Sequence, residues 1–475
     1  MSGYGDLHCA SYVLLRVTDP RAARRWLGNL SAQITTSEHP QKVRSLNVAL
    51  TQRGLKQIGL ETETLDTFSR PFLEGMATPH RSRVLGDADE NAPAHWNWGG
   101  NDEARIVDLM LLVFGSDEGT LEALLAEKRA EFEQSGVVEL RTLGAGRQDD
   151  SHEHFGFADG MGQPAIEGTF QVEKAAARNV LKTGEMLMGY VNDYGKPADS
   201  PMVNAARDPN GLLLPAENDG GNNSQPELRD LGRNGTYLVF RQLAQDVALF
   251  RRFVDEETRL HEGQLDRGAS DRLAAKMVGR WQNGAPLVLA PDADDPALSA
   301  ADDFGYRDSD AHGFKCPIGS HVRRSNPRDT IGPDGGTALA TANRHRILRR
   351  GRSYGHRPVD PRVDDGVDRG LLFICLNSDI ERQFEFVQQT WINNPVFGGL
   401  NGEVDPLMGN INKTETRAVG SNQDHLDDVK RDALFTVQAD PLRTRVHNLE
   451  RFVTVKGGAY FFLPSIRALR YLANL

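Results

Sequence analysis

The chain is poor in cysteine: Cys9, Cys316 and Cys375 are the only three among 475 residues, and no two form a CxxC pair. So small and scattered a set argues against a disulfide framework or a thiolate zinc site, and it suits a reducing cytoplasm. Long apolar runs are missing too; none approaches the ~18 residues that span a bilayer. The opening Met1-Ser2-Gly3-Tyr4-Gly5-Asp6-Leu7 lacks the basic stretch and apolar core of a secretory leader, so a cytoplasmic protein without a membrane partner is expected. Positive charge is not in excess. The formal net charge of −11 argues against nucleic acid or an anionic membrane as the main partner, because both reward basic surfaces. One stretch is locally basic, with Arg344, Arg346, Arg349, Arg350 and Arg352 close together. A Walker loop, a GxSxG elbow and an HExxH helix are all absent.

What is present is ample material for packed cores: 39% of residues are apolar and 25% charged, as in a soluble globular protein. The length calls for two domains. Strands are predicted over 10–17, 45–50, 108–115 and 137–140, with helices over 20–34, around Leu55 and Ile58, and over 120–135. The second half repeats this grammar. Strands are expected over 236–241 and 370–376, helices over 246–256 and from Phe384, a hairpin at Gly457-Gly458, and a last helix over 465–475. Strand–helix–strand units of this kind predict an α+β fold, with helices on one face of antiparallel sheets. Asn204 to Asn234 is rich in Asn, Asp, Gly and Pro and reads as a loop between the halves.

Four segments carry candidate chemistry. Gly156-Phe157-Ala158-Asp159-Gly160, continued by Gly162 and Pro164, sets one acid among glycines that allow close backbone approach. Its ordinary reading is a turn in which Asp159 bonds nearby backbone. Cys316-Pro317 leads to His321 and then to Arg323, Arg324 and Arg328. An imidazole there can ligate iron and nearby guanidiniums can meet carboxylates of a bound group; the ordinary alternative is a basic surface turn. Leu348-Arg349-Arg350-Gly351, running to Tyr354-Gly355, can place one guanidinium inward and others outward. Last come the aromatic stretch from Gln383 to Pro395, with Glu385 and Trp391, and then Asp405-Pro406, most simply core and turn. His152 and His154 lack a third ligand and read as surface residues.

Taken together these segments resemble the dye-decolourising peroxidase family. Gly156 to Gly160 matches its GxxDG signature, Cys316-Pro to Asn326-Pro-Arg is similar to its proximal-histidine segment, and Leu348 to Gly355 is similar to its distal-arginine segment. Further similarity lies at Glu74-Gly75-Met76, Leu85-Gly86-Asp87, Trp96 to Gly99, Gly184 to Tyr190 and Gly457 to Pro464, so it covers nearly the whole chain. The length and the Arg-Arg-Gly form resemble the longer bacterial and fungal branches. Ser353 departs from a proline common there.

The resemblance implies two ferredoxin-like domains, residues 1–220 carrying the GxxDG motif and residues 221–475 holding most of a haem b. It implies hydrogen peroxide and small organic reductants as partners, and it admits a homodimer. His321 is implied as the iron ligand, with Asp405 as its supporting carboxylate and Glu385 as the runner-up. Asp159 is implied as the base for peroxide and Arg349 as the group that stabilises developing charge. Gly156, Gly160 and Arg323 complete the expected cofactor contacts. An ordinary aspartate titrates near 3.9, so an acidic optimum is expected. Trp281, Trp391, Tyr306 and Tyr354 are candidate surface relays, each more simply a packed aromatic.

Overall fold

The computed structural model describes residues 4–37, 42–147, 150–218, 223–260, 264–411, 414–418, 426–430 and 433–475. In the first half, β1 (Cys9–Val17) leads into α1 (Pro20–Leu30), whose first turn is capped by Asp19 through the amides of Arg21 and Ala22. Then come β2 (Arg44–Leu50), β3 (Leu109–Gly115), α2 (Glu118–Ser135) and β4 (Val137–Gly146). In the second half the elements are β5 (Thr236–Gln245), α3 (Val247–Glu257), α4 (His321–Ser325), β6 (Leu348–Arg349), β7 (Arg352–Tyr354), β8 (Gly370–Asn377) and β9 (Val453–Leu463).

All pairings in the large sheet are antiparallel, and the order β4-β1-β3-β2 of the first half recurs in the second as β9-β5-β8-β7. Both are ferredoxin-like βαββαβ units. They join edge to edge through Leu50–Phe462 on one side and Gly146–Ser353 on the other, so the strands run as a closed ring. This closure explains the continuous apolar run of β3: both faces are buried. Met110, Leu112 and Phe114 point into the ring with Tyr12, Phe240, Ile374 and Phe461, while Leu109, Leu111 and Val113 pack against the helices.

Three expectations are corrected. Gly457-Gly458 is not a hairpin turn; both glycines lie inside the single strand β9. A Cβ on Gly457 would fall 2.4 Å from the Trp98 indole nitrogen, so the glycine serves a close ring contact. Beside it the register with β5 shifts, since Gln242 faces Gly457 and Leu243 faces Val455, which leaves Lys456 as a bulge. The segment 204–234 is not a loop throughout: Met202–Asn204, Asn223–Asp230 and Leu214–Asn218 form a small antiparallel sheet. The domain boundary expected at 220–221 lies outside the described residues. His154 is not on the surface; it is buried, and its Nε2 meets the Tyr354 carbonyl at 2.8 Å, tying the loop before Asp159 to β7. Among the described residues no helix is long and apolar enough to cross a membrane.

Burial holds the His154 imidazole below its ordinary 6.5. The unfolded chain therefore takes up this proton at a higher pH than the fold does. The stabilising contribution is full above 6.5 and is lost as pH falls through the folded value. Melting temperature should drop between about pH 7 and about pH 5 more steeply in the wild type than in His154→Gln; parallel curves in a thermal-shift titration would remove His154 as a source of acid lability.

Candidate active site

Two corners adjoin the apolar cluster between the ring and its helices, one through Leu407 and Met408, the other through Phe155, Phe157 and Cys375. The first is built on α4. His321 opens this short helix, and its Nδ1 donates to Asp405 Oδ2 at 2.9 Å. Asp405 is fully buried, and its Oδ1 accepts the amides of Leu407 at 2.9 Å and Met408 at 2.8 Å. Burial pushes this carboxyl up, but the His321 ring, the Met408 amide and the Arg324 charge outweigh it and hold it below the ordinary value. With Nδ1 committed, Nε2 is left to face outward, and it makes no hydrogen bond among the described residues. The His321 side chain stays 29% exposed.

Arg324, one turn on, is fully buried and donates to the carbonyls of Trp391, Asn394 and Glu403. It fastens the end of the helical segment over 381–392 to the loop that presents Asp405. Glu385, the runner-up for the histidine's carboxylate, is not at this corner. It is buried between Arg81 Nη1 and the Tyr460 hydroxyl, both at 2.7 Å.

The second corner holds Asp159 and Arg349. The turn after Asp159 is clipped from two sides. Arg349 donates through Nη2 to the Met161 carbonyl at 2.7 Å and through its amide to Gln163 Oε1 at 2.9 Å. Arg346 donates to the Gly162 carbonyl at 2.8 Å. Gly160 and Gly162 take positive φ of 85° and 68°, which lets the chain turn back beneath these arginines. Gly156, at φ 91°, sits against Arg251, whose guanidinium a Cβ there would meet at 2.6 Å. Asp159 Oδ1 accepts the Gly160 amide at 2.6 Å and lies 3.9 Å from Arg349 Nη1. That separation is too long for a hydrogen bond, so both groups keep capacity for a third partner. They are 42% and 39% exposed, on the wall of a cavity of about 570 Å³.

The sequence drew attention to Arg349 but placed Arg346 only in a basic stretch and gave Gln163 no role; both hold the turn, and neither has a spacing that announces it. Arg323, expected at the cofactor, is buried elsewhere: it donates to Asp310 and to the Cys316 carbonyl, with its guanidinium 4.4 Å from the centre of the Tyr306 ring. Trp281, Trp391 and Tyr306 are buried as packed aromatics, and Tyr354 is half-buried with its hydroxyl 3.0 Å from Asp368.

Side-chain chemistry between the corners suits a flat, largely apolar group with carboxylate arms. Arg349 pairs with Cys375 on β8, so its side chain shares a face with Phe373 and Leu371. Although β8 is paired on both edges, Leu371 and Phe373 are only half-buried, while Leu372 and Ile374 on the other face are sealed. The same cluster takes in Leu407 and Met408 next to Asp405. Beside Arg349 the buried guanidiniums of Arg280 and Arg328 both donate to Asp302, and Arg346, bonded to the Gly162 carbonyl, feels the same carboxylate without an ion pair of its own among the described residues. Burial drives Arg346 down to about 10. Positive charge is thus in surplus where an anionic arm can be met.

No family model matches the chain. Among curated proteins, a dye-decolorizing peroxidase of Mycena epipterygia is 30% identical over 462 residues, covering 92% of this chain and 77% of that protein. The multifunctional dye peroxidase DyP2 of an Amycolatopsis species is 30% identical over 485 residues, covering 96% of this chain and 90% of that one. Of solved structures, an ancestral D-type dye decolorizing peroxidase superposes with a TM-score of 0.72 at 26% identity, over 98% of this chain and 97% of that one. An Anabaena DyP-type peroxidase superposes with a TM-score of 0.74 at 23% identity, over 99% and 92%.

Asp405 answers three donors in a site without water. Asp405→Ala would strand the His321 ring N–H and two backbone amides and should cost about 1–3 kcal/mol in urea unfolding. Asp405→Asn keeps an acceptor for the amides and should cost less; equal losses would show that the charge is immaterial.

Proposed function

The chain belongs to the dye-decolourising peroxidase family, and we propose that its two corners are the proximal and distal sides of a haem b site. The protein is a haem-dependent peroxidase that reduces hydrogen peroxide while oxidising dyes, phenols or other small donors. The observation that carries the assignment of residues is the meeting of Asp159 with Arg349 on one cavity wall, while His321 is held by a buried carboxylate whose next residues, Leu407 and Met408, pack on the same apolar cluster as Cys375 opposite Arg349.

In this reading His321 would hold the haem iron through Nε2. Asp405 fixes its tautomer and raises its basicity. Half-buried Leu371 and Phe373 would offer the apolar bed, and Arg346 and Arg328, beside Asp302, would meet the propionates. Gly160, with open space where a Cβ would stand, lets the distal backbone come close, while Gly156 makes room for Arg251. The haem supplies the iron at which the peroxide bond is broken and through which electrons are drawn from the donor. Asp159 takes the proton from the incoming peroxide and returns it to the departing oxygen, which leaves as water. Arg349 holds the peroxide and offsets charge as it develops. Residues 1–220 and 221–475 are the two ferredoxin-like domains, the second holding most of the haem. Three unpaired thiols suit a reducing compartment.

A carrier without turnover needs the iron ligand alone and leaves the clipped Asp159 turn without a purpose. The test is the absorption spectrum of haem-supplied protein before and after one equivalent of hydrogen peroxide. The Soret band should shift within milliseconds; slow bleaching alone would favour the carrier. His321→Ala should lose the coordinated-iron spectrum. Asp159→Asn should keep the band and slow its shift by ~10²–10⁴-fold, and an unchanged rate would remove Asp159 from the chemistry. An aspartate accepts protons at acid pH where a histidine is already charged, so turnover should peak below neutrality.

A further inference from the structure

The cavity beside Asp159 carries a charge opposite to that of the protein. The chain bears a net −11, yet the cavity wall includes Arg147, Lys174, Arg349 and Arg352. Its carboxylates are Asp159 and Glu153. Glu153 is spoken for: it accepts the amides of Phe155 and Phe157 and the side chain of Gln245, and burial raises its carboxyl toward the neutral form. Apart from Arg349, which lies 3.9 Å from Asp159, these cations have no carboxylate partner in the cavity wall among the described residues. Arg147 donates to the Ser151 hydroxyl and the Gly5 carbonyl, and Arg352 to the carbonyls of Tyr4, Leu7 and His8. Lys174 forms no ion pair among the described residues.

A second feature points to the shape of the ligand. Phe170 and Lys174 bound one short 3-10 helical segment, and both line the cavity. Phe170 is 69% exposed at the cavity, so its ring face is open to stacking by a flat ligand. Ala165 and Ala175 continue its apolar side. A volume of about 570 Å³ is large for peroxide and sized for a single substituted ring.

We propose that this cavity binds small aromatic carboxylates as reducing substrates, with Phe170 against the ring and Arg147 and Lys174 recognising the carboxylate. The inference rests on the peroxidase reading and names its substrate class. Electron balance is that of the parent reaction: two phenolic donors each give up one electron and one proton, and these join peroxide to give two waters. Arg147 and Lys174 set specificity and take no part in breaking the peroxide bond.

The test compares molecules that differ only in charge, on the haem-loaded protein. Without peroxide, 4-methoxycinnamate and its methyl ester are titrated by calorimetry. The acid should bind about tenfold more tightly than the ester, and Arg147→Glu/Lys174→Glu should abolish that preference while leaving the ester unchanged. In turnover, KM for 4-hydroxy-3-methoxycinnamate should rise about tenfold in the double variant with kcat unaltered. Equal binding of acid and ester by the wild type overturns the proposal, and so does a preference that survives in the double variant. If the Soret band fails to respond to peroxide, the peroxidase reading falls, whereas the calorimetric preference is read independently of it.

Discussion

The second half is organised around a carboxylate without access to water. An ionised group in such a place costs several kcal/mol unless each of its lone pairs is met. Asp405 is met by the His321 ring and by the amides of Leu407 and Met408, while Arg324 supplies a nearby charge. Each donor then constrains something larger. The amides close the turn that follows Asp405, and the Asp405 amide is itself tied to the Ile392 carbonyl. Arg324 bonds three carbonyls on both sides of this link. The imidazole is thereby left with one orientation and one outward nitrogen.

The opposite corner follows another rule. Asp159 and Arg349 are each about two-fifths exposed, and no hydrogen bond joins them. Their backbones, in contrast, are fixed: Gln163 and the carbonyls of Met161 and Gly162 anchor the turn to the strand that bears Arg349. The proposed roles match this difference: a base must exchange protons with a substrate that comes and goes, so open access on a firm mount suits it, whereas an iron ligand needs no exchange and gains from being locked.

How much of this was readable in the sequence follows from how local each signal is. β1, β3, β5 and β8 were visible because their apolar content is continuous, and the helices because their apolar residues recur at helical spacing. Gly457-Gly458 misled because a paired glycine can mark either a turn or a close contact; the contact is with Trp98, far away in the chain. His154 looked like a surface residue because nothing local reveals that Tyr354 will cover it. Asp405 and Glu385 both follow from the same aromatic stretch, and either could have served His321. Arg81 and Tyr460, remote in sequence, occupy Glu385 and settle the matter. Arg323 shared a basic run with Arg324 and Arg328, and only packing separates their tasks.

The two corners keep their spacing because one element serves both. β8 is paired with β5 and with β6 and β7, so its backbone cannot shift alone. Through Cys375 it fixes the face on which Arg349 stands, and through Leu371 and Phe373 it forms the apolar bed. It then passes directly into the helical segment over 381–392, whose last carbonyls are bound by Arg324 and by the Asp405 amide. That segment carries π-type hydrogen bonding, a widened turn of the kind that recurs where a helix is bent to suit a site. Arg349, the apolar pair Leu371 and Phe373, and Asp405 are thus tied to one stretch of chain braced by sheet pairing. A flat group held there would find His321 and Arg349 at a spacing set by the strand rather than by loops.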